Sequence, residues 1–166
     1  FVVSNVKDSK GGLLQYKENY TMMRIDLPEP LKKGQKFTFS LDWSFYVIDA
    51  NKMGGRGGYE YFPADGNYLY EMAQWFPRMC VYSDVYGWQH KQFLGRGEFA
   101  LVFGDYEVNI NVPADHVVAA TGELQNASSL LTPAQLQRWE KAKTAKEPVV
   151  IVTQEEAVQA EKKKAT

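Results

Sequence analysis

The chain has 166 residues, of which 45% are apolar and 23% are charged, proportions that are ordinary for a soluble globular protein. Lysine and arginine number 19 against 20 aspartates and glutamates, and this balance argues against a nucleic-acid binder or an anionic-membrane binder, which needs a cationic surface. No apolar run approaches the roughly 18 residues that a membrane-spanning helix needs. The length fits one domain that buries about 70% of the unfolded surface.

The first third of the chain predicts β-strands. Residues Tyr20–Leu27 alternate between apolar and polar side chains, which indicates a half-buried strand that ends at Pro28. Residues Phe37–Ile48 alternate along their whole length, and a strand this long favours a large, curved, open sheet over a compact barrel. The aromatic share of 14% also favours strands.

A glycine-rich loop is predicted over residues 49–67, around the run Gly54-Gly55-Arg56-Gly57-Gly58. Its glycines permit positive φ and a close approach of two backbones. An apolar and aromatic segment, Tyr68–Phe76, follows the loop. Further along, Phe99–Pro113 predicts a hairpin with its turn at Gly104-Asp105, and Val117–Thr121 predicts another short strand.

The pattern becomes helical after Asn126. Thr132-Pro133-Ala134-Gln135 resembles a capping box with proline at the first helical position, and Thr153–Glu156 repeats the capping pattern after a short predicted strand, Val149–Val152. The predicted fold is therefore all-β: a large curved antiparallel β-sandwich or saddle forming one domain over 1–166. Residues 127–166 make a helical and strand excursion from it, whose lysine-rich part is interpreted as a solvated face.

A family resemblance enters at Ala73-Gln74-Trp75-Phe76-Pro77. This segment is similar to the glutamine-led T-Q-F-E-P-type segment in the N-terminal domain of the aminopeptidase N family of zinc metallopeptidases. Arg56-Gly57-Gly58-Tyr59 resembles the Y-R-S-x-Y turn of the family, with glycines in place of serines. The segments FGDYEVNINVP and VVAATGEL resemble its strand pair and the next strand, and AQWFPR followed by VYSDVYGW resembles its bacterial branch. The resemblance covers residues 20 to 126 and is specific across 72–122.

The resemblance implies an N-terminal β domain that helps to form a peptide-binding cleft and anchors the substrate amino terminus. Gln74 is the residue it assigns to substrate, because a side-chain amide oxygen accepts a hydrogen bond from an N–H group. Trp75, Phe76 and Arg78 are expected to shape or brace that edge. The second acidic or amide residue of the family motif falls on Phe76, which accepts no hydrogen bond, so amino-terminus selectivity is expected to rest mainly on the catalytic domain.

No catalytic residue is assigned within this chain. A zinc peptidase of this kind needs HExxH on a helix, two imidazoles one turn apart with a glutamate as general base. The only histidines, His90 and His116, lie far apart in the sequence, and a metal site that combines them with a distant carboxylate such as Glu98 is the disfavoured alternative. The resemblance thus implies that zinc is held by a catalytic domain outside this chain and that the fragment alone does not hydrolyse peptides.

The implied partners are the protein's own catalytic domain and a peptide substrate, with no nucleic acid and no membrane span. The compartment is left open, although a start at Phe1 is compatible with a removed leader and slightly favours the periplasm or the exterior over the cytoplasm. The single cysteine, Cys80, is interpreted as a small buried apolar residue.

Two alternatives remain open at the level of sequence. One is a free-standing β-sandwich module that binds a glycan or a protein through an aromatic surface, since aromatic rings suit such interfaces. The other is a non-catalytic scaffold in a peptidase homologue without its zinc motif. The aromatic residues in question crowd into one part of the chain: Tyr59, Tyr61, Phe62, Tyr68, Tyr70, Trp75, Tyr82, Tyr86 and Trp88.

Overall fold

A computed structural model describes residues 1–54, 56–64, 66–96 and 100–161. Within these residues there are eight short strands, all paired antiparallel in twos, and four helices. The strands are β1 Val2–Asp8, β2 Tyr16–Asn19, β3 Met22–Ile25, β4 Phe39–Ser44, β5 Gly58–Phe62, β6 Asn67–Glu71, β7 Tyr82–Ser83 and β8 Gly87–Trp88. The helices are α1 Ala50–Met53, α2 Ala127–Leu130, α3 Pro133–Ala142 and α4 Gln154–Glu161.

The four strand pairs are β1–β4, β2–β3, β5–β6 and β7–β8. The coarse prediction of a β-rich fold with short helices near the end of the chain is therefore confirmed. Among the described residues each strand is hydrogen-bonded to one other strand only, and no pair joins another into a wider sheet. Contacts group the chain into two units, Phe1–Tyr106 and Glu107–Thr166. The prediction of one domain over 1–166 stays a prediction.

Several predicted strands differ from the observed ones. The long strand Phe37–Ile48 is wrong in extent, because the strand runs only from Phe39 to Ser44, where its ladder with β1 ends at Val2 opposite Ser44. The strand predicted from Tyr20 begins at Met22, since Tyr20 lies in the turn between β2 and β3 with φ of 51°.

The predicted hairpin over 99–113 is also wrong within the described residues. Only Leu101 forms a bridge there, with Cys80, and 102–121 contains no strand. Residue Phe99 lies outside the described residues. The predicted strand Val149–Val152 is likewise irregular. Alternation sets which side chains share a face, but a ladder also needs a neighbouring strand to accept its hydrogen bonds.

The predicted loop over 49–67 is wrong in part, because it contains α1 and β5. The alternation of Tyr59, Glu60 and Tyr61 was the available signal for β5, and the surrounding glycines obscured it. Asp49 caps the start of helix α1, and its carboxylate accepts a hydrogen bond from Asn51 N–H at 3.1 Å. The helix ends at Gly54, whose φ of 66° is easily reached by glycine.

Both predicted helix starts are confirmed. Thr132 Oγ1 accepts from Gln135 N–H, and the Gln135 side chain accepts from Thr132 N–H, which is a complete capping box. Thr153 and Glu156 exchange the same two hydrogen bonds at the start of α4. These bonds satisfy amide groups that a helix start otherwise leaves without a partner.

Little of the described chain is buried. The buried apolar side chains are Val6, Leu14 and Ala127. The chain exposes 15101 Å², whereas a compact monomer of this mass exposes about 8,300 Å² and two compact domains divided at Tyr106 expose about 10,000 Å² in sum. The chain thus buries about 45% of its unfolded surface, less than the predicted 70%. Since the strands pair only in twos, most of their side chains stay at least partly exposed.

Candidate functional site

A cleft of about 290 Å³ opens beside the predicted substrate segment. It is lined by Phe1, by residues 45–48, by Gly54 and 56–58, and by residues 71–75. The cleft lies within the unit Phe1–Tyr106. Its walls are mostly aromatic and aliphatic, with three polar side chains among them: Arg56, Glu71 and Gln74.

The glycines of the cleft allow its segments to approach one another. A Cβ on Gly58 would lie 2.6 Å from the carbonyl oxygen of Ile48, and Gly58 has φ of 147°. The next residue, Tyr59, donates its N–H to the same carbonyl at 2.8 Å. A Cβ on Gly57 would lie 3.2 Å from the carbonyl oxygen of Glu71. The close backbone approach predicted for this glycine run is therefore found at Gly57 and Gly58.

Gln74 lies on the cleft wall in an unusual backbone conformation. Its φ of 54° is in the left-handed region, which costs a residue with a Cβ about 1–2 kcal/mol. The side chain is exposed and makes no hydrogen bond within the described parts of the chain. Strain at an exposed, polar position of a cleft is a reason to suspect a functional role.

Trp75 is half-buried and fixed by an aromatic neighbour. The indole N–H of Trp43 donates to the carbonyl oxygen of Trp75 at 3.1 Å, and the two indole rings lie 6.1 Å apart. Trp75 also meets Phe76 edge-on, with ring centroids 5.0 Å apart. These contacts join the 74–76 segment to β4 and hold Trp75 against the cleft.

Phe76 and Arg78 have a different environment from Gln74. The guanidinium carbon of Arg78 lies 5.7 Å from the Phe76 ring centre and 5.6 Å from that of Tyr106, within cation–π distance. Arg78 also donates to the Val102 carbonyl at 3.3 Å and to the Tyr106 hydroxyl at 3.0 Å. Neither Phe76 nor Arg78 lines the cleft. Their contacts connect this segment to Val102 and Tyr106, and a role in bracing the cleft edge or contacting substrate stays a prediction.

Sequence reasoning missed Glu71. It is the last residue of β6 and lies opposite Gly58 in the ladder, on the cleft wall and three positions before Gln74. The only signal was its place at the end of the aromatic run Tyr68–Tyr70. A carboxylate and an amide oxygen beside an apolar wall suit a ligand that carries an amino group next to an apolar side chain.

The two histidines occupy separate environments. His90 Nδ1 lies 2.8 Å from the Trp88 carbonyl oxygen, to which it donates. His116 Nδ1 lies 2.8 Å from the Asp115 carboxylate, and this hydrogen bond lowers the pKa of Asp115. Among the described residues no three His, Cys, Asp or Glu side chains come close enough to hold a metal ion. Glu98 lies outside the described residues.

The aromatic cluster is spread over three places. Tyr59 lies opposite Tyr70, and Tyr61 lies opposite Tyr68, so that all four share one face of β5–β6, the tyrosine face. The ring centroids of the contacting pairs lie 4.8 to 6.5 Å apart. Tyr82 and Trp88 instead meet each other across β7–β8 at 5.2 Å, and Trp75 lies at the cleft.

Cys80 is half-buried, and its Sγ lies 3.8 Å from the sulfur of Met22.

No helix in the described ranges is both long and apolar enough to span a membrane. Comparison with protein-family models, with curated protein sequences and with solved structures gives no match. The residues of the cleft and the resemblance of the 72–122 segment are therefore what indicate a function.

Proposed function

We propose that this chain is part of the N-terminal domain, a curved β-sandwich, of a zinc-dependent aminopeptidase-type metallopeptidase. It forms one wall of the cleft that receives the amino terminus of a peptide, and it carries out no hydrolysis alone. The observation that carries the proposal is the position of Gln74 and Trp75 side by side on the wall of one cleft. They are the glutamine and the aromatic residue of the segment that resembles the family.

The polar groups of the cleft give this wall a chemical role. The Gln74 amide oxygen accepts a hydrogen bond from the substrate amino group, and the Glu71 carboxylate supplies negative charge for the ammonium form. The aliphatic and aromatic residues 45–48 and Trp75 accommodate an adjoining apolar side chain. Zinc bound in the catalytic domain would activate the attacking water. The role of this chain is binding and orientation.

The uncovered apolar surface also supports a domain that packs against further polypeptide. The exposed area exceeds that of two compact domains by about 5,000 Å². Isolated two-stranded pairs are marginally stable in water, and they gain stability when other elements cover their apolar faces. A catalytic domain against the β region would cover part of this surface.

The role of Gln74 is tested by Gln74→Ala in the full-length enzyme that the proposal implies. Loss of one hydrogen bond to substrate should lower kcat/KM on an aminoacyl chromogenic substrate about fivefold. Gln15→Ala is the matched control, since Gln15 is exposed and lies away from the cleft, and its kinetics should equal those of the wild type. Unchanged kinetics for Gln74→Ala would remove this residue from the site.

A second experiment tests whether this chain hydrolyses peptides without a catalytic domain. Residues 1–166 should show no aminopeptidase activity with or without added zinc, whereas the full-length enzyme should lose its activity to a chelator and regain it with zinc. Zinc-dependent activity in the 166-residue chain would contradict the proposal.

The binding-module alternative has one observation in its favour, the tyrosine face. Tyr61, Tyr68 and Tyr70 are each about half exposed, at 48%, 50% and 46%, and rings of this kind stack on sugars or on a protein partner. A free-standing module should bind such a ligand through this face without any peptidase activity in the complete gene product. Measuring oligosaccharide binding by calorimetry, with Tyr61→Ala as the variant, separates the two functions.

A further inference from the structure

Residues 45–47, the pairing gap, form a stretch of strand-like chain whose backbone has no partner. Side-chain exposure continues to alternate there, since Phe45 and Val47 are half-buried whereas Tyr46 is 95% exposed. Such alternation is typical of an extended chain. Within the described residues no hydrogen bond involves the backbone of 45–47. The strand pattern of the sequence thus continues past the end of β4 without a neighbouring strand.

Paired backbone lies on both sides of the pairing gap. Before it, the ladder between β1 and β4 ends with Val2 opposite Ser44. After it, the Ile48 carbonyl accepts the Tyr59 N–H at 2.8 Å. The gap therefore interrupts a stretch of chain that is otherwise hydrogen-bonded to its neighbours.

The backbone groups of Tyr46 face the cleft. In an extended chain the N–H and C=O groups of alternate residues point to the same side. Because the Ile48 carbonyl points to Tyr59 in β5, both backbone groups of Tyr46 point to that side as well. Gly57 and Gly58, at the beginning of β5, line the cleft there.

The chain before β5 does not fill the pairing gap, because it turns toward the end of β6. A Cβ on Gly57 would lie 3.2 Å from the Glu71 carbonyl oxygen and 3.6 Å from the Ala73 nitrogen. The parallel bridge of Asp49 with Tyr59 is isolated and does not extend back to Gly57. The cleft of about 290 Å³ is lined by the gap residues and by this turn.

We propose that the ligand of the cleft is an extended peptide segment whose backbone pairs with Tyr46 in the pairing gap. The peptide accepts a hydrogen bond from the Tyr46 N–H and donates one to the Tyr46 carbonyl, as an added strand does. The inference rests on the proposed function, because it specifies how the same cleft holds the peptide.

The chemistry of the cleft favours a peptide over other ligands. A peptide backbone supplies donors and acceptors at the spacing of an extended chain, whereas a sugar or an alkyl chain does not. Glu71 and Gln74 supply acceptors for an amino group. The volume lies near the lower end of the range of ligand clefts, which suits a few residues of peptide and not a folded partner. Since the pairing uses backbone groups, the cleft should accept peptides of different sequences.

Binding of a short peptide to the 166-residue chain tests the proposal. The probe is Leu-Ala-Ala amide with a free amino terminus, and calorimetry should show one peptide bound per chain. Two analogues each replace one internal amide by an ester, which removes an N–H and keeps the shape. Because alternate residues face Tyr46, one analogue should bind about tenfold more weakly and the other within about threefold of the parent. If both esters bind as tightly as the parent, the proposal fails.

Acetylation of the same peptide tests the amino-terminus role separately, because it removes the ammonium group that Glu71 and Gln74 are proposed to bind. If acetylation abolishes binding while both esters bind normally, the proposed function survives and backbone pairing is overturned. If one ester binds weakly while the acetylated peptide binds normally, backbone pairing is supported and amino-terminus recognition fails. If the parent peptide does not bind, both are overturned.

Tyr46→Pro removes the N–H that the peptide needs. This N–H has no partner within the described part of the chain, and the fixed φ of proline is compatible with an extended edge segment. The variant should bind the peptide about tenfold more weakly, whereas Tyr46→Ala keeps the N–H and should lose only about twofold. Equal losses in the two variants would overturn the proposal.

Lys33→Pro is the matched proline control. Lys33 is exposed, lies outside the cleft and precedes Gly34 in a turn closed by the hydrogen bond from Gln35 N–H to the Lys32 carbonyl, a position that favours proline. It should bind the peptide as the unmodified chain does. A loss as large as that of Tyr46→Pro would show that proline acts through the fold, and the variant evidence for pairing would fall.

Hydrogen exchange detects the pairing without any substitution. The Tyr46 amide should exchange about tenfold more slowly when the chain is saturated with peptide, because its N–H is then bonded. The Val47 amide, which points to the other side, should exchange as before. A Tyr46 amide that is already protected without peptide would mean that other residues fill the pairing gap, and the proposal fails. Unchanged exchange at Tyr46 in the complex would overturn it equally.

Discussion

The helical region and the strand pairs of this chain satisfy their polar groups in different ways. Helices α3 and α4 complete their starts with residues three positions away, Thr132 with Gln135 and Thr153 with Glu156. Arg138 on α3 adds a hydrogen-bonded ion pair with Glu156 on α4. Each strand instead pairs with one other strand within the described residues, and β1 and β5 each add a single bridge on the other side, to Leu13 and Asp49. The starts of α3 and α4 are thus satisfied by residues close in the sequence, whereas β1 and β4 depend on each other across a long stretch of the chain.

This difference predicts which substitutions lower the stability of the chain most. A helix start loses one or two hydrogen bonds when its cap is replaced, and the loss stays local. The cleft depends on a backbone approach between distant segments, in which a single added carbon collides with a carbonyl oxygen. Changes at the cleft should therefore cost more than changes at a cap, and changes at the single half-buried ion pair Arg138–Glu156 should cost least.

The largest effect is expected from Gly58→Ala. Its Cβ would lie 2.6 Å from the Ile48 carbonyl oxygen, so β5 must move away from the 45–48 segment. The free energy of unfolding should fall by about 2–3 kcal/mol in denaturant melts followed by tryptophan fluorescence. Gly34→Ala is the control, because Gly34 has φ of 81° but nothing within 4 Å of its Cβ position, and it should cost about 1 kcal/mol. Equal costs would mean that the close approach does not stabilise the cleft.

A smaller effect is expected from Thr132→Ala. The variant loses the side-chain acceptor for the Gln135 N–H and should lower helix stability by about 1 kcal/mol, read as earlier loss of the helical circular-dichroism signal. Thr121→Ala is the control, because Thr121 is exposed and lies outside the helices, and it should have no measurable effect. If the two variants melt alike, the capping box contributes nothing to α3.

The smallest effect concerns pH. The hydrogen bond from Arg138 lowers the pKa of Glu156 below its ordinary value of 4.5, and the Thr153 N–H lowers it further. A carboxyl whose pKa is lower in the folded state adds stability above pH 4.5, and this stability is lost as the pH falls through the folded pKa. Helix content of the 132–161 segment should therefore decline in acid.

Glu156→Gln should remove that part of the acid sensitivity, because it has no carboxyl to protonate. Glu147→Gln, in the connection between α3 and α4, should retain it. An unchanged acid transition in Glu156→Gln would show that the ion pair with Arg138 does not couple the helices to pH.

The candidate site was partly accessible from the sequence. Gln74 and Trp75 were singled out, and both line the cleft. Phe76 and Arg78 pack against Tyr106 and do not line the cleft, so their role in shaping or bracing its edge stays a prediction. Glu71 was missed, because its position on the wall follows from a ladder that brings it opposite Gly58.

The sequence by itself determined the features that depend on near neighbours: the capped starts of α3 and α4, the β-rich character and the glycine run that lets two backbones meet. Tertiary structure decided the rest, namely that the Phe37–Ile48 pattern forms a strand only from Phe39 to Ser44 and that residues 45–48 line a cleft instead. The physical reason is that a helix closes its hydrogen bonds within four residues, whereas a strand ends where its partner does.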